Sequence, residues 1–115
     1  MNKDLTISIL MDFYGNLLTN KQLDALDMYY NSDLSLSEIA EETGISRQGV
    51  RDAIKRGEKQ LVEFEEKLGL AEKFLDVIKS VDEMNEIIGT LDISDENRKK
   101  IERIKQISEN LSDKL

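Results

Sequence analysis

The sequence predicts an all-α protein: a helix-turn-helix module set in a small helical bundle, followed by a helical C-terminal extension. Three observations predict it. The 115 residues contain no proline, so nothing forces a break in a long helix. Apolar residues recur at spacings of three and four along most of the chain. Capping boxes and glycines fall where those periodic runs should begin and end. The length suffices for one domain with a modest core, organised as a module over residues 1–68 and an arm over residues 69–115.

The first run carries apolar residues at Leu5, Ile9, Leu10, Phe13, Tyr14, Leu17 and Leu18, a helix with a wide apolar face. Gly15 lowers helix propensity there and suits a close helix crossing rather than a ligand. Thr19 and Gln22 form a capping box that opens a second helix from about Asn20 to Asn31. Leu23, Leu26 and Tyr30 form its core face, with Met28 and Tyr29 on the flanks. Asn31, Ser32 and Asp33 make a polar turn.

The stretch Leu36–Ile54 organises the chain. Ser35 and Glu38 form a second capping box, with Leu34 and Ile39 as its hydrophobic staple. Gly44 ends that helix in a left-handed conformation that needs no Cβ. Ser46 caps the next helix, with Ile45 and Val50 as a second staple. Ile39, Ala40, Ile45, Val50 and Ile54 then face inward, leaving Arg47, Gln48, Arg51 and Lys55 outside. An ordinary αα-hairpin would share the caps and spacing, but it has no need of the basic face.

No stop follows until Gly69. Val50, Ile54, Gly57, Leu61, Phe64 and Leu68 form a heptad-like seam, with Gly57 admitting a close neighbour. Such a helix of about 20 residues is roughly 30 Å long. Leu70, Phe74, Val77, Ile78, Val81, Met84, Ile88 and Leu91 continue the pattern as a fifth helix. Ser94 or Asp92 caps a final one, whose apolar edge is Ile101, Ile104, Ile107, Leu111 and Leu115. Arg98, Lys99, Lys100, Arg103 and Lys105 lie beside that edge. The arm has more apolar edge than a small domain covers, which leads us to expect a homodimer.

Charge narrows the function. The chain carries a net charge of −8, with charged residues at 35%. Residues 1–44 hold two basic and eight acidic side chains, and residues 61–115 hold nine and fourteen. Residues 45–60 hold five basic (Arg47, Arg51, Lys55, Arg56, Lys59) and two acidic. The single net-positive stretch is thus the recognition helix of the motif. Screening over about 8–10 Å lets such a face meet phosphates despite the distant acids.

Catalysis is not expected. Histidine and cysteine are absent, which removes the usual general bases, thiolate nucleophiles and soft metal ligands. No phosphate-cradling glycine motif is present. The acid pairs Glu41–Glu42, Glu65–Glu66 and Asp82–Glu83 point about 100° apart on a helix, as solvated faces do. Asp92–Glu96 lacks the ligand spacing of a calcium loop. No cofactor or metal is therefore expected. The N-terminus does not read as a signal peptide, no apolar run approaches the roughly 20 residues of a membrane span, and the absence of cysteine fits a cytoplasmic protein.

Tyr29–Arg56, with Thr19–Gln22 before it, resembles the YlxM-type helix-turn-helix proteins, and the similarity covers roughly residues 5–75. More broadly it resembles region 4 of sigma-70-type factors, whose motif reads a promoter element. The resemblance implies DNA binding, with Arg47, Gln48, Arg51 and Lys55 as groove or phosphate contacts. It also implies an association with the signal recognition particle pathway, through genes neighbouring those of the particle's GTPases. Gly49 departs from the pattern, where alanine is frequent, and loosens the first turn of the recognition helix.

Two functions follow as expectations. One is a dimeric regulatory protein that binds DNA, or RNA, through Arg47, Gln48, Arg51 and Lys55, with Arg56 and Lys59 on phosphates. The other is an accessory protein of the signal recognition particle, acting through protein or particle-RNA contacts without DNA binding.

Overall fold

The first helix, α1 (Leu5–Tyr14), buries Ile7, Leu10, Met11 and Tyr14, an i, i+3, i+4, i+7 stripe. The apolar face is therefore rotated from the one expected: Ile9 is 36% exposed, and Ile7 and Met11 take the core positions. The helix tightens into a 3₁₀ turn at Gly15–Leu17, which swings Leu17 to 60% exposure while Leu18 stays buried. A Cβ on Gly15 would lie 3.1 Å from Leu23 Cδ1, so the glycine does serve a close approach. The computed structural model describes residues 5–92 and 94–114; the expectations for Met1–Asp4 and Leu115 lie outside them, as does the side chain of Leu5.

Thr19 caps α2 (Asn20–Leu26) with both bonds of its box formed, Gln22 N–H to Thr19 Oγ1 and Thr19 N–H to Gln22 Oε1, each at 3.2 Å. The expected single helix to Asn31 instead widens into a π turn over Asp27–Asn31. There the Ser32 N–H reaches back to the Asp27 carbonyl at 3.1 Å and the Leu34 N–H to that of Met28 at 3.0 Å. The Asn31 side chain donates to Asp27 Oδ1 at 2.7 Å. Asp33 then takes a left-handed φ of 54° and reverses the chain. The wide turn sets Tyr29 and Tyr30 edge to face, 5.1 Å between centroids, and lets Tyr30 Oη donate to Glu58.

Ser35 caps α3 (Leu36–Thr43), again with a complete box. Gly44 follows at φ 71°, its N–H on the Ala40 carbonyl at 3.0 Å. Ser46 Oγ accepts the Gly49 N–H at 3.0 Å and opens α4 (Arg47–Leu68), which ends at Gly69 with φ 62°. At about 1.5 Å per residue, α4 is roughly 33 Å long. It is the spine of the module, packed against α1, α2 and α3. Leu26, Ile39 and Leu61 are fully buried, and Val50, Ala53, Ile54 and Ala71 nearly so. Each of the Leu, Ile and Val side chains contributes about 1.5–3 kcal/mol through burial. Leu68, expected on the seam, is 49% exposed.

The end of α4 is held from α1. Tyr14 Oη donates to Glu65 Oε1 at 2.6 Å and accepts the Leu70 N–H at 3.1 Å, while Glu65 Oε1 also accepts the Ala71 N–H at 3.0 Å. These bonds satisfy the first amides of α5 (Leu70–Gly89), which would otherwise be orphan donors. Tyr14 also packs on Phe64, with ring centroids 5.8 Å apart.

The chain divides into two units, Met1–Ala71 and Glu72–Leu115. In the second, Val81 on α5 is buried and Phe74, Ile78 and Ile88 are half-buried, whereas Val77, Met84 and Leu91, expected on the same face, are exposed. The last helix, α6 (Arg98–Lys114), starts later than a cap at Asp92 or Ser94 would require. The Asn97 N–H folds back onto the Ser94 carbonyl at 3.0 Å, making a turn, and only the Ile101 N–H to Asn97 carbonyl bond starts the helical ladder. On its apolar edge Ile101 is buried, and Ile104, Ile107 and Leu111 are 40–52% exposed.

Candidate nucleic-acid interface

The motif is built from three local devices. Glu38 in the first turn of α3 complements that helix's positive end. Thr43 bridges the turn: its hydroxyl donates to the Ile39 carbonyl at 2.7 Å and accepts the Ile45 N–H at 3.4 Å. The first turn of α4 has no acid at all and begins with Arg47. A cation there works against the helix dipole, so it does not add to the stability of α4.

Of the inward residues expected for the motif, Ile39, Val50 and Ile54 are buried and Ala40 and Ile45 half-buried, joined by Ala53. Arg47, Gln48, Arg51, Lys55, Arg56 and Lys59 are all exposed. Gln48 Nε2 donates to Asp52 Oδ1 at 3.2 Å, which occupies one of the two acids of this stretch. None of the five cations makes an ion pair or hydrogen bond among the described residues. Their charges are left to solvent and to whatever anion approaches.

These six side chains do not form one patch. Arg47, Gln48 and Arg51 line a shallow recess with Leu36, from the start of α3. Lys55 and Lys59 fall near Gln48 on the outermost stripe of α4, at about 100° per residue. Arg56 lies about 140° around the helix from Arg51. It lines a different recess, with Gly49, Asp52 and Ala53 of α4 and with Thr19, Lys21 and Gln22 at the start of α2. Leu36 and Lys21 carry no signal of their own in the sequence. Lys21 is one of two basic residues among eight acids in the first 44 residues, and only the crossing of α2 over α4 brings it to the recess of Arg56.

Gly49 is filled space rather than loose chain. A Cβ there would lie 2.8 Å from Ile45 Cγ2 and 3.2 Å from the capping Ser46 Oγ. The expectation that it loosens the first turn is thus replaced by a packing role, since the turn is tied by the Gly49 N–H bond to Ser46.

The whole chain, residues 1–115, matches the model of the UPF0122 family, described as "Putative helix-turn-helix protein, YlxM / p13 like". The chain belongs to the UPF0122 family. Similar relatives include a UPF0122 protein of Acetivibrio thermocellus, 44% identical over 113 residues, covering 98% of this chain and 97% of the relative. Another, from Clostridium kluyveri, is 46% identical over 105 residues, covering 91% and 94%. A third, from Caldanaerobacter subterraneus subsp. tengcongensis, is 50% identical over 84 residues, covering 73% and 72%. Membership in this helix-turn-helix family supports a nucleic-acid-binding regulatory role for this UPF0122 protein. No helix among its described residues is long and apolar enough to cross a membrane.

Proposed function

We propose that this UPF0122 protein is a non-enzymatic regulatory protein that sets the first half of α4 into the major groove of DNA. The observation that carries this reading is the set of five exposed cations between Arg47 and Lys59, unpaired among the described residues, on a chain of net charge −8. Arg51 and Arg47 suit bidentate contacts to guanine O6 and N7, and Gln48 suits adenine N6 and N7 once released from Asp52. Lys55, Arg56 and Lys59 suit phosphates, which fix register and carry no sequence information. Phosphate neutralisation by these cations makes binding steeply salt-dependent, and the acidic remainder weakens non-specific binding.

The test is selection of a preferred duplex from a random library, then titration of wild type and Arg51→Ala. Arg51→Ala should lose about 1–3 kcal/mol on the preferred site and relax preference at one base pair. Equal binding by the two proteins at every salt concentration would sink the base-contact role, and stronger retention of RNA would redirect it.

The exposed Met84, Ile87, Ile104, Ile107 and Leu111 of the second unit support a homodimer, and dimeric helix-turn-helix proteins bind two half-sites. Light scattering at micromolar concentration decides this, a monomer mass counting against it. The same apolar residues suit contacts with another protein, and the resemblance to YlxM-type proteins gives the second reading, an accessory protein of the signal recognition particle working through protein or particle-RNA contacts. Failure of the particle protein and its RNA to retain the chain at low salt would exclude that reading.

A further inference from the structure

We infer that Lys21 and Arg56 form a second phosphate-contact point for DNA, on the flank of α4 opposite Arg47 and Arg51. The inference rests on the groove-binding reading above and adds a residue, Lys21, that lies outside the helix-turn-helix. Lys21 and Arg56 come from different helices and line one recess. Neither makes an ion pair or hydrogen bond among the described residues. Asp52 is the acid in that recess, and its Oδ1 accepts from Gln48. Within that recess the two cations therefore outnumber the one acid.

The geometry gives the recess its partner. A helix in the major groove, about 12 Å wide, has a phosphate backbone on each flank. Arg47 and Arg51 share a recess with α3 on one flank. Arg56 lies about 180° around α4 from Arg47, on the flank covered by α2. Cations on one flank alone would leave the helix free to rock in the groove, and cations on both hold its outer stripe toward the base edges. The contact is to the backbone, so it carries no base preference.

The test measures the slope of log K against log salt on the preferred duplex for wild type, Lys21→Gln and Arg56→Gln, with Lys114→Gln as a control for net charge. Lys21 and Arg56 are exposed, so neither substitution removes a core contact, and circular dichroism checks that the helices persist. Each of the two variants should lose about 0.9 from the slope, so the wild-type advantage shrinks about 3.5-fold between 50 and 200 mM salt. The ratio of preferred to scrambled duplex should not change. A duplex with one neutral methylphosphonate at the contacted position should bind wild type and Lys21→Gln alike. A slope unaltered by Lys21→Gln, or an equal loss in Lys114→Gln, overturns this contact while leaving groove binding intact. A shifted preference ratio also overturns it, as a base contact would produce. Failure of wild type to bind any duplex overturns the groove-binding reading and this contact with it.

Discussion

A Cβ placed on Gly57 would lie 2.6 Å from Leu26 Cδ1, so α2 and α4 meet where no side chain fits between them. Leu26 is fully buried, so its side chain could give way only by displacing other core atoms. This contact sets the crossing of α2 over the recognition helix, and with it the position of Lys21 beside Arg56.

Gly57→Ala should therefore destabilise the protein, although alanine is the better helix former. Overpacking costs about 1–3 kcal/mol, against roughly 1 kcal/mol gained in helix propensity. Gly57→Val should cost more. In a Leu26→Ala background the Gly57→Ala change should become neutral or stabilising, because the opposing atom is gone. Urea denaturation of the four proteins measures the coupling, and strict additivity would count against the contact.

Tyr14→Phe should cost about 1–3 kcal/mol, since it removes the donor to Glu65 and the acceptor for the Leu70 N–H in a buried setting. The loss should be accompanied by faster amide exchange at Leu70 and Ala71. Unchanged exchange there would mean that the junction of α4 and α5 does not depend on this hydroxyl.

The same hydroxyl predicts an alkaline limit. Burial raises its pKa above the ordinary value of 10.0, and the hydrogen bond to Glu65 adds to the rise, against lowering contributions from the backbone amides of Leu70 and Ala71. A folded-state value above the unfolded one means the stabilisation is complete below about pH 10 and is lost as pH rises through the folded value. Unfolding curves of wild type and Tyr14→Phe at pH 8 and pH 11 should show a stability gap that narrows at the higher pH. A gap that widens would reverse the sign.

Ser35→Ala should cost about 1 kcal/mol and Ser35→Gly a few tenths, because the Glu38 N–H loses its cap. Since α3 braces α4 from the other side, Ser35→Ala should also weaken duplex binding more than its distance from the cations suggests. Binding unaffected at a temperature where the variant is fully folded would show that the cap serves stability alone.

Where the helices of the motif start and stop follows from local chemistry alone. Both capping boxes, the left-handed glycines at 44 and 69 and the serine cap at 46 involve groups within four residues of each other, so their chemistry is local. The exposure of Gln48, Lys55 and Lys59 was legible for the same reason, since one helix period places them opposite Val50, Ile54 and Leu61, with Arg47, Arg51 and Arg56 on the flanks. Tertiary structure alone decided what joins what. Tyr14 meets Glu65 across 51 residues and the Leu70 amide across 56, and Lys21 reaches the recess of Arg56 only through the crossing at Gly57. Local periodicity also misassigned Ile9, Leu17 and Leu68, because an apolar residue on a helix can face any of several neighbours. Only the packing of α1, α2 and α3 around α4 selects which stripe is covered, as burial responds to the partners present and not to the pattern alone.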